Sequence, residues 1–462
     1  MTTAVETADE VRHEGRSELH QARTEGEPIT LASVLLIGGL LAAPLPLGAV
    51  LPWAWGALSV LAAVLLIFWG RKQVARGRVR FAWSPLYLPC VLFLLVAAIQ
   101  FYAGLYLDRI GTREALIKLA TDILLFFLAA QLFSDASKSA WRGFVAAVTT
   151  FMFALSVFAI LQYFSGGGLI YWAVQTTSMC TFGPYGNHNH YAGLMEMLIP
   201  IGVAGVLGRR DHSPFRAFSV FALVVALASV LLSGSRGGSI ALLAETVILG
   251  AILGRGWPPR RARPVGAAIA LGVAASATLF FLIDPGRVSK RLATVAEIPT
   301  KPEATFAERS LVSRDSARII ADNPWIGTGL GSFAVAYPQY QSFATDLLWD
   351  HAHNDYVEAL AEMGAVGGLL IAAALTMFFL LAFGRVRERL DHEIGWIQMG
   401  AAIGCCGLLV HGLGDFNLHI PANAAWFAAC AAIATQPGIP RRSQACAMVP
   451  GPVGEGGSHG ME

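Results

Sequence analysis

Residues 349–356 read Trp-Asp-His-Ala-His-Asn-Asp-Tyr, which sets His351, His353, Asn354 and two aspartates, Asp350 and Asp355, side by side. Histidine titrates near neutral pH, and a positioned imidazole is a common proton acceptor. The stretch continues through Glu358 and Glu362 into Ala365–Phe383, which carries no charge. A run of that length can cross a bilayer as a helix. The polar groups therefore stand where a membrane helix begins, at the boundary of water and lipid. With Asp350 as the N-cap, His351, His353 and Asp355 fall in the first turns. A helix N-terminus disfavours imidazolium and attracts anions, so a neutral histidine there can act as a base beside a phosphate. One intervening residue turns His351 and His353 about 200° apart on a helix, so only one can face a given hydroxyl. The second chemical group is arginine. Arg236 lies in Ser-Gly-Ser-Arg-Gly-Gly, residues 233–238, and Arg309, Arg314 and Arg318 lie further on. A guanidinium grips phosphate oxygens with a bidentate fork. Arginines and a histidine at one membrane face point to an enzyme that handles a lipid phosphate.

The elements that must position these groups are membrane helices. The chain has 462 residues, is 55% hydrophobic and only 14% charged, with a mean hydropathy of +0.56. Soluble domains carry about 25% charged residues. The expectation is an all-α polytopic membrane protein of about twelve transmembrane helices, at 30–50, 54–70, 85–102, 115–133, 143–164, 189–207, 216–232, 237–254, 265–284, 356–383, 396–412 and 421–436. Pro44, Pro46 and Pro52 blur the first boundary. Residues 1–28 are polar and without an apolar core, and the tail 437–462 is rich in Gly, Pro and Ser. Both read as disordered cytoplasmic tails flanking a membrane domain at 29–436.

Arg71, Lys72, Arg76, Arg78 and Arg80 follow the second run, and Arg385, Arg387 and Arg389 follow the tenth. Basic residues also follow the fourth, sixth, eighth and twelfth runs. Every second loop being basic puts those loops in the cytoplasm. Residues 285–355 form one long loop of mixed charge that the alternation places outside, with short helices expected in it. The six cysteines form no paired framework on the outer loops and read as small core residues. There is no P-loop, dinucleotide motif or internal repeat, and nothing points to nucleic acid.

Four polar segments share the outer side. Residues 186–193, Gly-Asn-His-Asn-His-Tyr-Ala-Gly, open the sixth run; the bland reading is capping by Asn187 or Asn189, and the sharper one is contact with a sugar or carrier lipid. The turn at Arg236 puts a cation close to hydrocarbon, which costs roughly 2.5–3.5 kcal/mol at a helix centre and less at an interface. Its plainer role is a snorkelling interfacial arginine. In the long loop, Leu311, Ala317, Ile320 and Ala321 offer an apolar face, so 307–322 reads as an outer helix. It leads into Asn323-Pro324-Trp325 and the glycine turn Gly327-Thr328-Gly329-Leu330-Gly331-Ser332-Phe333, which taken alone is a turn. The fourth segment is 349–356.

These segments together resemble the O-antigen ligase and polymerase superfamily of bacterial membrane glycosyltransferases. His353-Asn354, nine residues, then Gly364-x-x-Gly367 is similar to its signature. Asn187-x-Asn189-His190, Ser235-Arg236-Gly237, Arg309 about fifteen residues before Pro324 and its glycine turn, and Asp415-Phe416-Asn417-Leu418-His419-Ile420-Pro421 follow in the family's order. The likeness is best from about 180 to 436. It implies transfer of a glycan from undecaprenyl diphosphate to an acceptor hydroxyl, on lipid A-core or on another glycan. The site would face the periplasm on the bacterial inner membrane, and the reaction would be inverting and metal-independent with no cofactor. His353 would take the acceptor's proton. Arg236 and Arg309, with Arg314 as a weaker candidate, would hold the diphosphate. His351, Asn187, His190 and Asn354 would make further contacts, and the 411–423 segment would serve packing.

Ligase and polymerase share this chemistry and differ in the acceptor. Two competitors stand beside them. The pairs His188/His190 and His351/His353 could bind zinc. A transporter or flippase would carry charges at mid-depth in several helices, whereas the helix centres here read as almost free of charge.

Overall fold

The computed structural model describes residues 27–175, 181–209, 213–256, 304–344 and 348–437, and among them it is all-helical, without a strand. The helices of more than ten residues are α1 Leu31–Ala42, α2 Pro52–Ala75, α3 Tyr87–Tyr102, α4 Arg109–Ser134, α5 Lys138–Ser165, α6 His188–Gly208, α7 Pro214–Ser233, α8 Arg236–Gly256, α9 Ala304–Asp322, α10 Asp355–Phe383, α11 Glu393–His411 and α12 Pro421–Ala434. Eight of them, α2, α4, α5, α6, α7, α8, α10 and α11, are long and apolar enough to cross a membrane. The apolar helices α1, α3 and α12 are shorter. The expected span 265–284, residues 285–303 of the long loop and almost all of both tails lie outside the described residues.

The first expected run, 30–50, is broken. Its helix ends at Ala42, and Pro44 and Pro46 lead into a 3₁₀ turn at Leu47–Ala49, because proline cannot continue the hydrogen-bond ladder. The core is centred on α11 and α6, the two most buried of the long helices. Gly400 and Gly404 make their contact possible. A Cβ on Gly400 would meet the Pro200 carbonyl oxygen at 2.5 Å, and one on Gly404 the Met197 Cα at 2.8 Å. Small residues four apart let two backbones approach where lipid supplies no hydrophobic drive.

The helix termini sort into two ends. At one lie the starts of α4, α6, α8, α10 and α12, and here the polar loops meet: Leu107 N–H donates to Thr328 O, Asp355 N–H donates to Gly412 O, and Gly48 packs against Tyr185 and Ile420. At the other lie the basic connections. There Arg142 pairs with Glu393, and the buried Arg389 donates to the carbonyls of Leu381, Ala434 and Gln436, closing orphaned C-terminal acceptors.

Two helices depart from the sequence reading. On α9 the buried residues are Val312, Asp315, Ser316 and Ile319, while Ala317 and Ala321 are exposed. The true face is the i, i+4, i+7 row through Val312. It packs with Phe333, Tyr337, Trp349, Ala352 and Ala361 into a small core of its own over the polar end. In α10, Gly364 adopts φ 60° and ψ −162°, which breaks the ladder. The glycine turn repairs it. Ala365 and Val366 donate to Pro324 O and Trp325 O, while Thr328 and Gly329 donate to Ala361 O and Glu362 O. The Glu362 carboxylate accepts from Gly331 N and Phe333 N at 2.7 and 2.9 Å. Gly364 and the three turn glycines are thus one docking device, with φ of 69°, 103° and 74° at Gly327, Gly329 and Gly331.

Candidate active site

The N-cap of α10 is Asn354, not Asp350. Its side-chain oxygen accepts from Tyr356 N and Val357 N at 3.1 Å, and its Nδ2 donates to Leu413 O at 2.9 Å. Asn is among the strongest N-caps, and here it also ties α10 to the segment after α11. His351 and His353 consequently precede the helix, in a loop, where the 200° helical separation does not apply. They are separated all the same. His351 Nδ1 is bonded to Glu358 Oε1 at 2.7 Å, whereas His353 takes a left-handed φ of 50° and sets its ring against Trp349 and Phe416. Positive φ in a residue other than glycine is a sparsely populated conformation, of the kind that clusters at functional sites. His353 Nδ1 is buried and bonded to nothing among the described residues.

Phe416 organises the rest. His351 stacks on it at 4.2 Å between centroids, and His353 and His190 meet it edge-on at 4.9 and 4.8 Å. Its neighbour Asp415 is fully buried. Asp415 accepts from Phe416 N at 2.8 Å and from the Asn189 amide, with His190 Nε2 at 3.5 Å and Arg309 Nη1 at 4.0 Å. Burial alone would raise this carboxyl's pKa, but the neighbouring His190, then His411 and Arg309, outweigh it and hold the group well below the usual carboxylate range. Arg309 also donates to Gly414 O at 3.3 Å. For His353 the balance runs the other way. Burial, then the Arg309 charge, lowers its pKa below the ordinary 6.5, with Asp415 pulling against them.

A fourth histidine completes the cluster. His419 Nδ1 lies 3.0 Å from Asp355 Oδ1 and its Nε2 3.2 Å from Glu358 Oε1, while Glu358 Oε2 accepts from Ala352 N at 2.7 Å. Burial alone would lower the His419 pKa; Glu358, then Asp355, raise it above 6.5. These bonds pin the loop that carries His351 and His353. His351, Glu358 and His419 also form the one group of three donors with metal-ligand spacing among the described residues, their ligand atoms within 4.8 Å. The pairs His188/His190 and His351/His353 make no such group there. His351 Nδ1, both His419 nitrogens and both Glu358 oxygens already serve the contacts above, whereas His351 Nε2 does not.

Of the other expected residues, Arg236 is exposed at the start of α8, and its turn comes to this end of the fold. Gly237 lies against His411, where a Cβ would meet Nε2 at 2.4 Å. Asn187 is the N-cap of α6, its side chain accepting from Asn189 N, so its capping role is observed. His190 enters the cluster through Asp415 and Phe416. Arg314 is exposed on α9. The reading of helix interiors as nearly charge-free needs correction. Glu196 and His411 form a buried pair, Oε1 to Nδ1 2.7 Å, and Glu245 lies against Gly407 nearby. The three come from α6, α8 and α11. They form a local cluster beneath the Arg236 turn rather than a line of charges through the bundle.

The family model Wzy_C, described as O-antigen ligase, matches residues 221–372. Over this segment the chain is similar to the O-antigen ligase family. No curated protein matches it. Together with the eight membrane-length helices, the family supports a ligase- or polymerase-type membrane enzyme. The O-antigen ligase segment holds Arg236, Arg309, Arg314, His351, His353 and Glu358 but stops short of Asp415, Phe416 and His419. Sequence alone reads those three as packing, and Glu358 only as part of the run into α10. A signal existed: an aspartate and a histidine four apart, between two apolar helices, are costly unless paired.

Proposed function

We propose that this chain is a membrane glycosyltransferase that moves a glycan from undecaprenyl diphosphate to an acceptor hydroxyl. In this reading the acceptor oxygen bonds to the anomeric carbon as the bond to the diphosphate oxygen breaks. The acceptor's proton passes to His353, the electron pair leaves with the diphosphate, and the anomeric centre inverts. The observation that carries the reading is the convergence of Arg309, His353, His351 and His190 on Asp415 and Phe416 at one end of the bundle. A neutral imidazole beside a guanidinium fits proton abstraction next to a departing phosphate. Arg236, on the turn above Glu196 and His411, supplies the second cation, and Arg314 an outer one. The basic connections at the far end favour a cytoplasmic assignment for that end and an outer, periplasmic one for the site, as on the bacterial inner membrane. Lipid A-core or a growing glycan is the acceptor class. The reading keeps the metal independence that the family resemblance implies.

A specific observation favours a second assignment of the base. The bond from His351 Nδ1 to Glu358 fixes that ring's orientation and leaves Nε2 as its basic nitrogen. The test of the function is turnover of a synthetic undecaprenyl-diphosphate glycan by the purified chain. Arg309→Ala and Arg236→Lys should both lose transfer while remaining folded, because an ammonium lacks the planar fork. Normal transfer by both would remove the diphosphate from the reading.

A further inference from the structure

At the end of the bundle opposite the candidate active site, a cavity of about 630 Å³ opens between the start of α1, the end of α2 and the end of α4. Its volume lies within the roughly 300–1,000 Å³ of small-ligand sites. Two kinds of wall meet in it. Leu31, Phe68, Trp69 and Phe81 supply an apolar side, and α1 and α2 carry further exposed apolar residues such as Val34, Val60 and Ile67. Arg71, Lys72, Arg76 and Arg80 supply a cationic side.

The charges do not cancel. Glu27 pairs with Lys72 and Arg76, and Asp135 lies 3.6 Å from Arg76. Those two carboxylates are the acidic groups of the lining, against four cations, so a surplus of two positive charges remains. Arg71 and Arg80 carry it, with no ion-pair partner among the described residues. The cavity floor is fixed: Gln131 Oε1 accepts from Ala82 N, Gln73 Oε1 accepts from Arg80 N, and Glu27 is tied by backbone bonds to Asp135 and Ser137.

We propose that this cavity binds the headgroup of an anionic glycerophospholipid. The phosphodiester would sit at Arg71 and Arg80, and the acyl chains would run along Phe68, Trp69 and the exposed faces of α1 and α2. The surplus of cations calls for an anion, and the apolar wall calls for hydrocarbon attached to it. A free phosphate satisfies only the first. Basic pockets between helices at a membrane surface bind such lipids for this reason. The site is distinct from the glycan-transfer site and stands whether or not that reading holds.

The test uses the full chain, purified in a neutral detergent and exchanged into nanodiscs. The discs hold phosphatidylcholine alone, or phosphatidylcholine with phosphatidylglycerol or cardiolipin. Native mass spectrometry counts retained lipids and thermal unfolding reports the effect of binding. Anionic lipid should be retained and should raise the unfolding midpoint, and inorganic phosphate should do neither. Arg71→Gln with Arg80→Gln should weaken retention roughly thirtyfold. Arg78→Gln, outside the lining, should not. Equal retention of phosphatidylcholine, an equal effect of inorganic phosphate, or indifference to the double variant would each overturn the proposal. So would tight lipid binding that appears only after residues 1–26 are removed, which would make the acidic N-terminal segment the native occupant.

Discussion

Replacing Asp415 with Asn tests whether the segment after α11 belongs to the site or merely packs. The carboxylate is fully buried, with one oxygen accepting from Phe416 N at 2.8 Å and the other from the Asn189 amide. Asp415→Asn conserves the volume but turns one acceptor into a donor. Whichever way the amide is turned, either Phe416 N or Asn189 Nδ2 then faces another donor. A buried donor left unsatisfied costs about 1–3 kcal/mol. The contact to Arg309 adds at most about 1 kcal/mol, because it is 4.0 Å long and Arg309 is a third exposed. The total is about 1–4 kcal/mol of stability. Function should suffer beyond that. Phe416 loses the backbone anchor of the ring that three histidines touch, and Arg309 loses its carboxylate. Removing the negative charge also moves the His353 pKa still lower, making it a weaker base. The assay pairs thermal unfolding in detergent with donor turnover per folded molecule, where a loss on the order of tenfold or more is expected. An Asp415→Asn protein that unfolds and turns over like the parent would refute the placing of this segment in the site.

Gly364→Ala should destabilise by about 3 kcal/mol or more, because its Cβ would meet Trp325 C at 2.4 Å at a φ of +60°. Gly250→Ala, which faces open space, should be near neutral, and similar unfolding midpoints for the two would disprove the docking of the glycine turn on the broken helix. The lowered His353 pKa predicts that turnover falls only as pH drops below the ordinary histidine value of 6.5, whereas a rate already falling as pH drops toward 7 would contradict it. His419 has its pKa raised, so its stabilisation is fully present below 6.5 and is lost as pH rises through the raised value; His419→Gln should remove that alkaline loss, and an unchanged stability profile would count against the Asp355–His419–Glu358 clamp. Reporters fused after Asp322 and after Arg387 should give opposite signals, and identical ones would sink the topology.

Most of the helical framework was legible, because apolar runs and basic loops obey simple rules of length and charge. The misses came from contacts distant in sequence. Asp350 and Asn354 are both good N-caps on local grounds; the bonds from Asn354 to Leu413 and from Asp355 to Gly412 decided between them. The break at Gly364 was hidden because glycine is common in membrane helices, and the groups that repair it lie in the 324–333 turn. Glu196 could be seen as a lone acid in an apolar run, but its partner His411 lies on another helix. Phe416 looked like packing, and it does pack, against the three histidines of the site.

The most direct test of the account is single-turnover transfer from a synthetic undecaprenyl-diphosphate glycan by the purified parent, His353→Ala and His351→Ala proteins. A positioned base contributes typically 10²–10⁴-fold. The account predicts transfer by the parent with inversion, a loss of that size in His353→Ala with donor binding kept, and a milder loss in His351→Ala. Full transfer by His353→Ala, or a larger loss in His351→Ala, would contradict it and move the base to the imidazole that Glu358 holds.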